Sequence, residues 1–290
     1  MHGGFEMHRH TLPHLEMHIT HICNLMCKYC AHYCDFGYAG EVPYAQGAEW
    51  LCAWAERLAP QQFRILGGEP LLHKDAEKYM RLCAKCFPEA KRDFVTNGLF
   101  LRKREDLLPV LIETHTVLII SLHPLRSKQQ EAVLNDALTL AYQYMPKGLC
   151  LRIDNCTNTW RKPYLGEGAS IAPFTDGDPE KSFQNCTGYC KTLHQGKLWK
   201  CPSLAYLPLI VDQLETKRFW EPYLQYEPLG IDASDAEIAA FIKGNSQFCG
   251  MCSTSRQHIS VPGIIPGIAA DLLPLESYRK STRCSPPAHS

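Results

Sequence analysis

Residues 15–34 read LEMHITHICNLMCKYCAHYC: an apolar, β-branched run that ends in four cysteines, at positions 23, 27, 30 and 34. A strand that delivers a thiol cluster at its carboxyl end is a site built on a sheet edge, so the rest of the chain decides which kind of sheet it is. Downstream, AQGAEWLCAWAERL (45–58) reads as helix, FRILGG (63–68) as strand and KDAEKYMRLCAKCF (74–87) as helix. KRDFVTNG (91–98) is then strand, REDLLPVLIET (104–114) helix, HTVLIISLHP (115–124) strand, SKQQEAVLNDALTLAYQYM (127–145) helix and GLCLRIDN (148–155) strand. Short β-branched runs alternating with amphipathic stretches of ten or more residues predict repeated βαβ units and a parallel sheet, doubly wound or closing towards a barrel.

Composition narrows the function classes. The 290 residues carry 30 basic and 30 acidic side chains, so net charge supplies no drive towards nucleic acid or an anionic membrane. No window approaches eighteen apolar residues, and the histidine-rich start is too polar for a signal peptide. A cytoplasmic protein is expected. In that setting fifteen cysteines point to metal or redox chemistry rather than a disulfide scaffold. Cys52, Cys83, Cys86, Cys150 and Cys156 fall on apolar elements and read as small buried hydrophobes.

The polar landmarks share one position. The cysteines follow the first strand, GGEP (67–70) the second and TNG (96–98) the third, while SLHP (121–124) and RIDN (152–155) end the fourth and fifth. In parallel βα architectures that edge is where sites are built, because the loops converge there. Cys23, Cys27 and Cys30 have the spacing CxxxCxxC, three thiolates for an iron–sulfur cube that needs four ligands. A zinc knuckle is the alternative, with Cys34, His32 or His21 as fourth ligand, an unusual set for a closed site.

CxxxCxxC together with GGEP at the end of the second strand resembles the radical S-adenosylmethionine (AdoMet) superfamily. The resemblance implies a partial (β/α)6 TIM-like barrel in which AdoMet chelates the open iron of a 4Fe-4S cluster. Reductive cleavage then gives a 5'-deoxyadenosyl radical that takes hydrogen from the substrate. It further implies that Gly67, Gly68, Glu69 and Pro70 lie at the AdoMet amino group and Tyr29 at the adenine. Thr96, Asn97, Ser121 and Arg152 would supply ribose or carboxylate contacts. TNG is equally an ordinary turn, and Arg152 an ordinary surface ion pair. His18 and His21 flank the cysteines and read as space-filling histidines bonded to backbone.

A second group, Cys186, Cys190, Cys201, Cys249 and Cys252, resembles the superfamily's C-terminal auxiliary-cluster module. Cys186, Gly196 and Cys201 have its opening spacing, HQGKLWKCPSLAYLPLI (194–210) reads as hairpin-like with GKLWKCP (196–202) resembling the module's hairpin, and Cys249 and Cys252 close it. Because His258 stands where the longer SPASM form continues with cysteine, the shorter twitch form with one auxiliary 4Fe-4S cluster is expected. Cys186 is favoured over Cys190 as the fourth ligand, and a four-thiolate zinc site is the alternative. The expected organisation is an extension over 1–14, the barrel over 15–180, the twitch module over 181–260 and a tail over 261–290.

The resemblance implies an oxidoreductase that dehydrogenates a small polar substrate such as a sugar, cyclitol or natural-product intermediate, with the auxiliary cluster as electron acceptor. A flavodoxin or ferredoxin-type reductant would supply electrons. Arg152, Asp154, His123 and Tyr164 are candidate bases at the barrel mouth. Only 22 residues precede Cys23, which disfavours a maturase with a peptide-recognition domain. That maturase is the alternative enzyme, and a non-catalytic zinc or iron–sulfur protein the alternative class.

Overall fold

A computed structural model describes residues 9–156, 162–186, 190–255, 259, 263, 264 and 266. Of the features read from sequence, His258 lies outside these residues, as do residues 1–8 and nearly all of 261–290.

Five βα-linked strands form the body: β1 (His10–Thr20), β2 (Leu58–Gly67), β3 (Lys91–Thr96), β4 (Thr116–Leu122) and β5 (Leu151–Asn155). Between them run α1 (Tyr44–Ala55), α2 (Ala76–Cys86), α3 (Leu107–Glu113) and α4 (Lys128–Tyr144). All five strands are parallel and sit in chain order, the open αβ sheet of a partial barrel. Odd-numbered β1 residues Leu15, Met17 and Ile19 join Leu51, Trp54, Phe63, Met80 and Leu111 in the core between sheet and helices. Even-numbered His14, Glu16, His18 and Thr20 are equally buried and face the opposite side, because strand side chains alternate. The inner face at β1 is therefore polar and shielded from water.

The chain after β5 does not extend the sheet beyond β5. After α5 (Pro179–Asn185), β6 (Lys191–His194) pairs parallel with β1, and β7 (Lys197–Trp199) returns antiparallel, giving the order β5-β4-β3-β2-β1-β6-β7. Gln195 and Gly196, both at positive φ, make the two-residue turn that suits a right-twisted hairpin. The Trp54 indole donates to the Gly196 carbonyl, and a Cβ at Gly196 would sit 3.2 Å from the Trp50 ring. The hairpin is thus locked onto α1.

Beyond it, PSLAYLPLI is helix α6 (Pro202–Ile210) rather than an extension of the hairpin. Pro202 opens the helix where its missing N–H costs nothing, and the segment is apolar on nearly every side, with Leu204, Ala205, Tyr206, Leu207 and Ile210 buried. With α7 (Lys217–Leu224) it builds a second core of Tyr33, Tyr164, Trp199, Tyr206, Trp220 and Met251. Helix α8 (Asp235–Lys243) closes the described chain against β1 with a Ser234–Glu237 capping box. No helix among the described residues is long and apolar enough to cross a membrane.

Candidate active site

The cysteine loop is pinned at its base. The His21 amide donates to the Gly40 carbonyl and the Val42 amide to Ile19, while the Ile22 amide donates to Thr20 Oγ1. Inside it, Cys23, Cys27 and Cys30 are half-buried, and burial pushes the Cys23 and Cys27 thiols up to about 12. The Leu25 amide points at Cys23 Sγ (3.4 Å). Cys34 lies beside Cys30, and its S–H favours the Cys30 thiolate. The Arg126 guanidinium, which donates to the Met26 carbonyl, places its charge near Cys23 and Cys27. Nothing in the sequence around Arg126 marks it; only the folding of the β4–α4 connection brings it here.

Among the described residues, the groups of three ligand atoms within 4.8 Å of one another are His14–Glu16–Cys190 and Glu16–His18–His32; the Cys23–Cys27–Cys30 trio is not such a group. One tetrahedral zinc with Zn–S of about 2.3 Å would hold its sulfurs roughly 3.8 Å apart. The wider spacing suits a cube, where each thiolate has its own iron. Amide donation to sulfur and a nearby cation suit one as well.

GGEP is positioned by the same loop. Gly68 and Glu69 amides donate to the Thr20 and Ile22 carbonyls, each 2.8 Å. A Cβ at Gly67 would stand 2.3 Å from the Thr20 carbonyl oxygen, and one at Gly68 2.3 Å from that of Ile22. These glycines let two main chains touch. The Glu69 side chain turns inward, fully buried: Oε1 accepts from Thr96 Oγ1 (2.6 Å) and the Leu71 amide (3.0 Å), and Oε2 accepts from the Asn97 amide (2.8 Å). Burial outweighs these bonds and raises its pKa to about 7. Thr96 and Glu69 therefore bind each other through their side chains, and Pro70 starts a buried turn that Glu69 caps. Asn97 crosses to the cysteine loop, donating to Asn24 Oδ1 at 2.7 Å.

The remaining expected contacts scatter. Tyr29, at positive φ, donates to Glu167 Oε1, and Lys28 pairs with the same carboxylate. Ser121 is buried beside Cys156. Arg152 and Asp154 grip each other with two 2.9 Å bonds, both half-exposed on β5, so neither stands free as a base. Tyr164 is also corrected: it is buried against Tyr33 and donates to Asp35, a packing role. Burial, with His32 nearby, lowers His123 to about 4, so it is neutral at neutral pH.

Sequence reasoning treated His18 and His21 as bonded fillers, and the structure differs. His18, His21, His32, His194 and Tyr206 meet ring to ring, with centroids 4.4 Å apart for His18–His32 and 4.6 Å for His18–Tyr206. Among the described residues, both nitrogens of His18, Nδ1 of His21 and the Tyr206 hydroxyl have no hydrogen-bond partner. Burial lowers His21 to about 4 and His194 to about 3, so both imidazoles are uncharged at neutral pH.

Cys186, Cys201, Cys249 and Cys252 lie within electrostatic reach of one another, and burial raises Cys201 to about 12. Cys190 instead turns to the Glu16 carboxylate. Lys191 and Lys200 are buried beside the cysteine group. Lys200 Nζ donates to the Phe241 and Gly244 carbonyls, and no carboxylate of the described residues pairs with either lysine.

Residues 17–134 match the Radical SAM superfamily model. A probable GTP 3',8-cyclase of Methanosarcina acetivorans is 31% identical over 116 residues, 38% of this chain and 34% of that protein. The GTP 3',8-cyclase of Aquifex aeolicus is 27% identical over 130 residues, 43% and 40% of the two chains. The chain thus spans about a third to two-fifths of the length of these relatives. Among solved structures, BtrN in complex with AdoMet and 2-DOIA aligns at 18% identity and TM-score 0.48, over 83% of this chain and 85% of that one. Streptococcus suis SuiB bound to S-adenosylmethionine aligns at 20% and 0.39, over 50% and 34%. Over residues 17–134, the chain is thus similar to the radical SAM superfamily.

Proposed function

We propose that the protein is a radical SAM oxidoreductase that removes hydrogen from a small polar molecule held in the chamber formed by His18, His21, His194 and Tyr206. The observation that carries this reading is the set of buried, unpartnered nitrogens and hydroxyl in that chamber. Leaving such atoms unsatisfied costs about 1–3 kcal/mol each, and a ligand rich in hydroxyls or amines would satisfy them. Cys23, Cys27 and Cys30 would hold the AdoMet-binding cluster, and Cys186, Cys201, Cys249 and Cys252 an auxiliary one. When bound, these groups supply a hydrogen-abstracting radical and an electron acceptor.

The chain's own residues do the rest. Lys191 and Lys200 offset the negative charge of four thiolates around a cluster. The second core, which includes Tyr33 and Tyr206, packs beside His18 and His21 through Tyr206. The uncharged imidazoles present ring nitrogens that can accept hydrogen bonds from substrate hydroxyls or amines. We assign the barrel unit to 15–180 and the auxiliary unit to 181–260, with a flavodoxin or ferredoxin-type protein as reductant. A match over part of the cyclases' length supports the shared chemistry and leaves their substrate with them.

Anaerobic reconstitution with iron and sulfide counting tests the reading. About eight irons per chain are expected, falling to about four in Cys186→Ala, with dithionite-driven release of 5'-deoxyadenosine surviving that substitution. Zinc in both cysteine sets without AdoMet cleavage would overturn it.

A further inference from the structure

Deeper in the barrel than the imidazole chamber lies a cluster that the radical chemistry does not use. Glu16 is 3% exposed and has no lysine or arginine partner among the described residues. A buried carboxylate of this kind needs a positive or strongly donating neighbour. What surrounds it is loose: Thr192 Oγ1 donates to Oε1 at 3.3 Å, and His14 Nε2 stands 3.5 Å from Oε2. A charge-assisted hydrogen bond would close to about 2.7–2.9 Å. Two ligands of one tetrahedral ion, each about 2.0–2.1 Å from the metal, stand roughly 3.4 Å apart. The His14–Glu16 gap is a coordination distance.

Three further observations agree. His14 is 8% exposed, and its Nε2 has no hydrogen-bond partner among the described residues. Its other nitrogen, Nδ1, faces Gln62 Oε1 at 3.4 Å, and Gln62 is itself fixed by donating to Asp93 Oδ2 at 2.6 Å. An imidazole oriented through its second nitrogen is the usual support of a metal-bound histidine. Finally, the Cys190 sulfur falls with His14 Nε2 and the Glu16 carboxylate in a group whose atoms are all within 4.8 Å of one another. The neighbouring trio Glu16–His18–His32 also fits that limit, but neither nitrogen of His18 has a hydrogen-bond partner among the described residues, so no second-nitrogen bond sets that ring for a metal.

We propose that His14 Nε2, the Glu16 carboxylate and Cys190 Sγ bind one divalent ion of the zinc class, separate from both iron–sulfur sites. One nitrogen, one oxygen and one sulfur donor in a tetrahedral arrangement select zinc over magnesium or calcium. The ion joins two pieces of chain. His14 and Glu16 lie at i and i+2 on β1, and Cys190 immediately precedes β6, which pairs with β1 through Leu15–Lys191 and Glu16–Thr192. It would staple the hairpin of the auxiliary unit to the barrel about 13 Å along β1 from Thr20 at the cysteine-loop end. The inference does not depend on the radical reading, and its test separates the two.

The full chain, reconstituted anaerobically and cleared of loose metal, is analysed for iron, sulfide and zinc, and its zinc K-edge absorption is recorded. About one zinc per chain is expected in addition to the cluster iron, with one sulfur at about 2.3 Å and nitrogen or oxygen at about 2.0–2.1 Å. Cys190→Ser and His14→Ala should each lower retained zinc at least tenfold with iron unchanged. Should these variants not fold, Gln62→Ala provides the reading, with zinc affinity expected to fall about 10–100-fold. Wild-type protein with full iron and no zinc would overturn the proposal. So would zinc surrounded by four sulfurs, or zinc lost on His18→Ala but retained in Cys190→Ser.

Discussion

Glu69 shows how much of this site is internal scaffolding. Its carboxylate gathers Thr96, Leu71 and Asn97 into one turn, and Asn97 passes the connection to Asn24 in the cysteine loop. Because burial raises its pKa to about 7 from the usual 4.5, the folded state binds its proton more tightly than the unfolded chain does. Between these two values the folded protein carries more protons, so stability is fully present below about pH 4.5 and declines as pH rises towards 7. The loss is on the order of 3 kcal/mol across the window. Chemical denaturation from pH 4.5 to 8 should show this decline in wild type and a flatter profile in Glu69→Gln. Equal slopes in the two proteins would assign the titration to another group.

Among the elements, the turn after β2 and the cysteine loop behave as one unit. Gly67 and Gly68 are needed because the Thr20–Ile22 main chain presses against them. Replacing Gly68 with alanine puts a methyl group 2.3 Å from the Ile22 carbonyl oxygen, so the loop must move. Such overpacking costs roughly 1–3 kcal/mol, and here it falls on the segment that spaces the three thiols. Gly68→Ala should retain its far-ultraviolet circular dichroism but lose most of the iron bound by Cys23, Cys27 and Cys30. Full iron loading in this variant would show that the loop tolerates the shift. Helix α6 teaches a different lesson. With apolar residues on every side it has no periodic signal, so sequence reading took it for the continuation of a hairpin.

At the scale of the whole molecule, the hairpin of the proposed auxiliary unit continues the sheet of the βα body, since β6 pairs with β1. The buried lysines at that junction set an electrostatic prediction that rests on the auxiliary cluster. Burial and the charge of Lys191 lower Lys200 to about 8, so at neutral pH it is mostly cationic. Removing that charge makes an added electron less favourable. At an effective dielectric near 20 the effect is about 1–2 kcal/mol, several tens of millivolts. Lys200→Met should shift the auxiliary midpoint potential negative by that amount in a redox titration followed by electron paramagnetic resonance. The potential of the cluster held by Cys23, Cys27 and Cys30 should stay unchanged. A positive shift, or none, would remove Lys200 from the cluster's environment.

The amino-acid sequence alone determined the alternating strands and helices, the carboxyl edge as the place for chemistry, and the CxxxCxxC spacing. Each is a local pattern, written in hydrophobic period or residue spacing. Contacts between distant segments were decided only by the tertiary structure. It placed β6 beside β1, turned Cys190 to Glu16 rather than to Cys186, paired Arg152 with Asp154, and brought Arg126 to the cysteine loop. The inner polar face of β1 was hidden for the same reason. HTLPHLEMHIT alternates polar with apolar like a solvent-exposed strand, and whether that second face meets water depends on what folds over it.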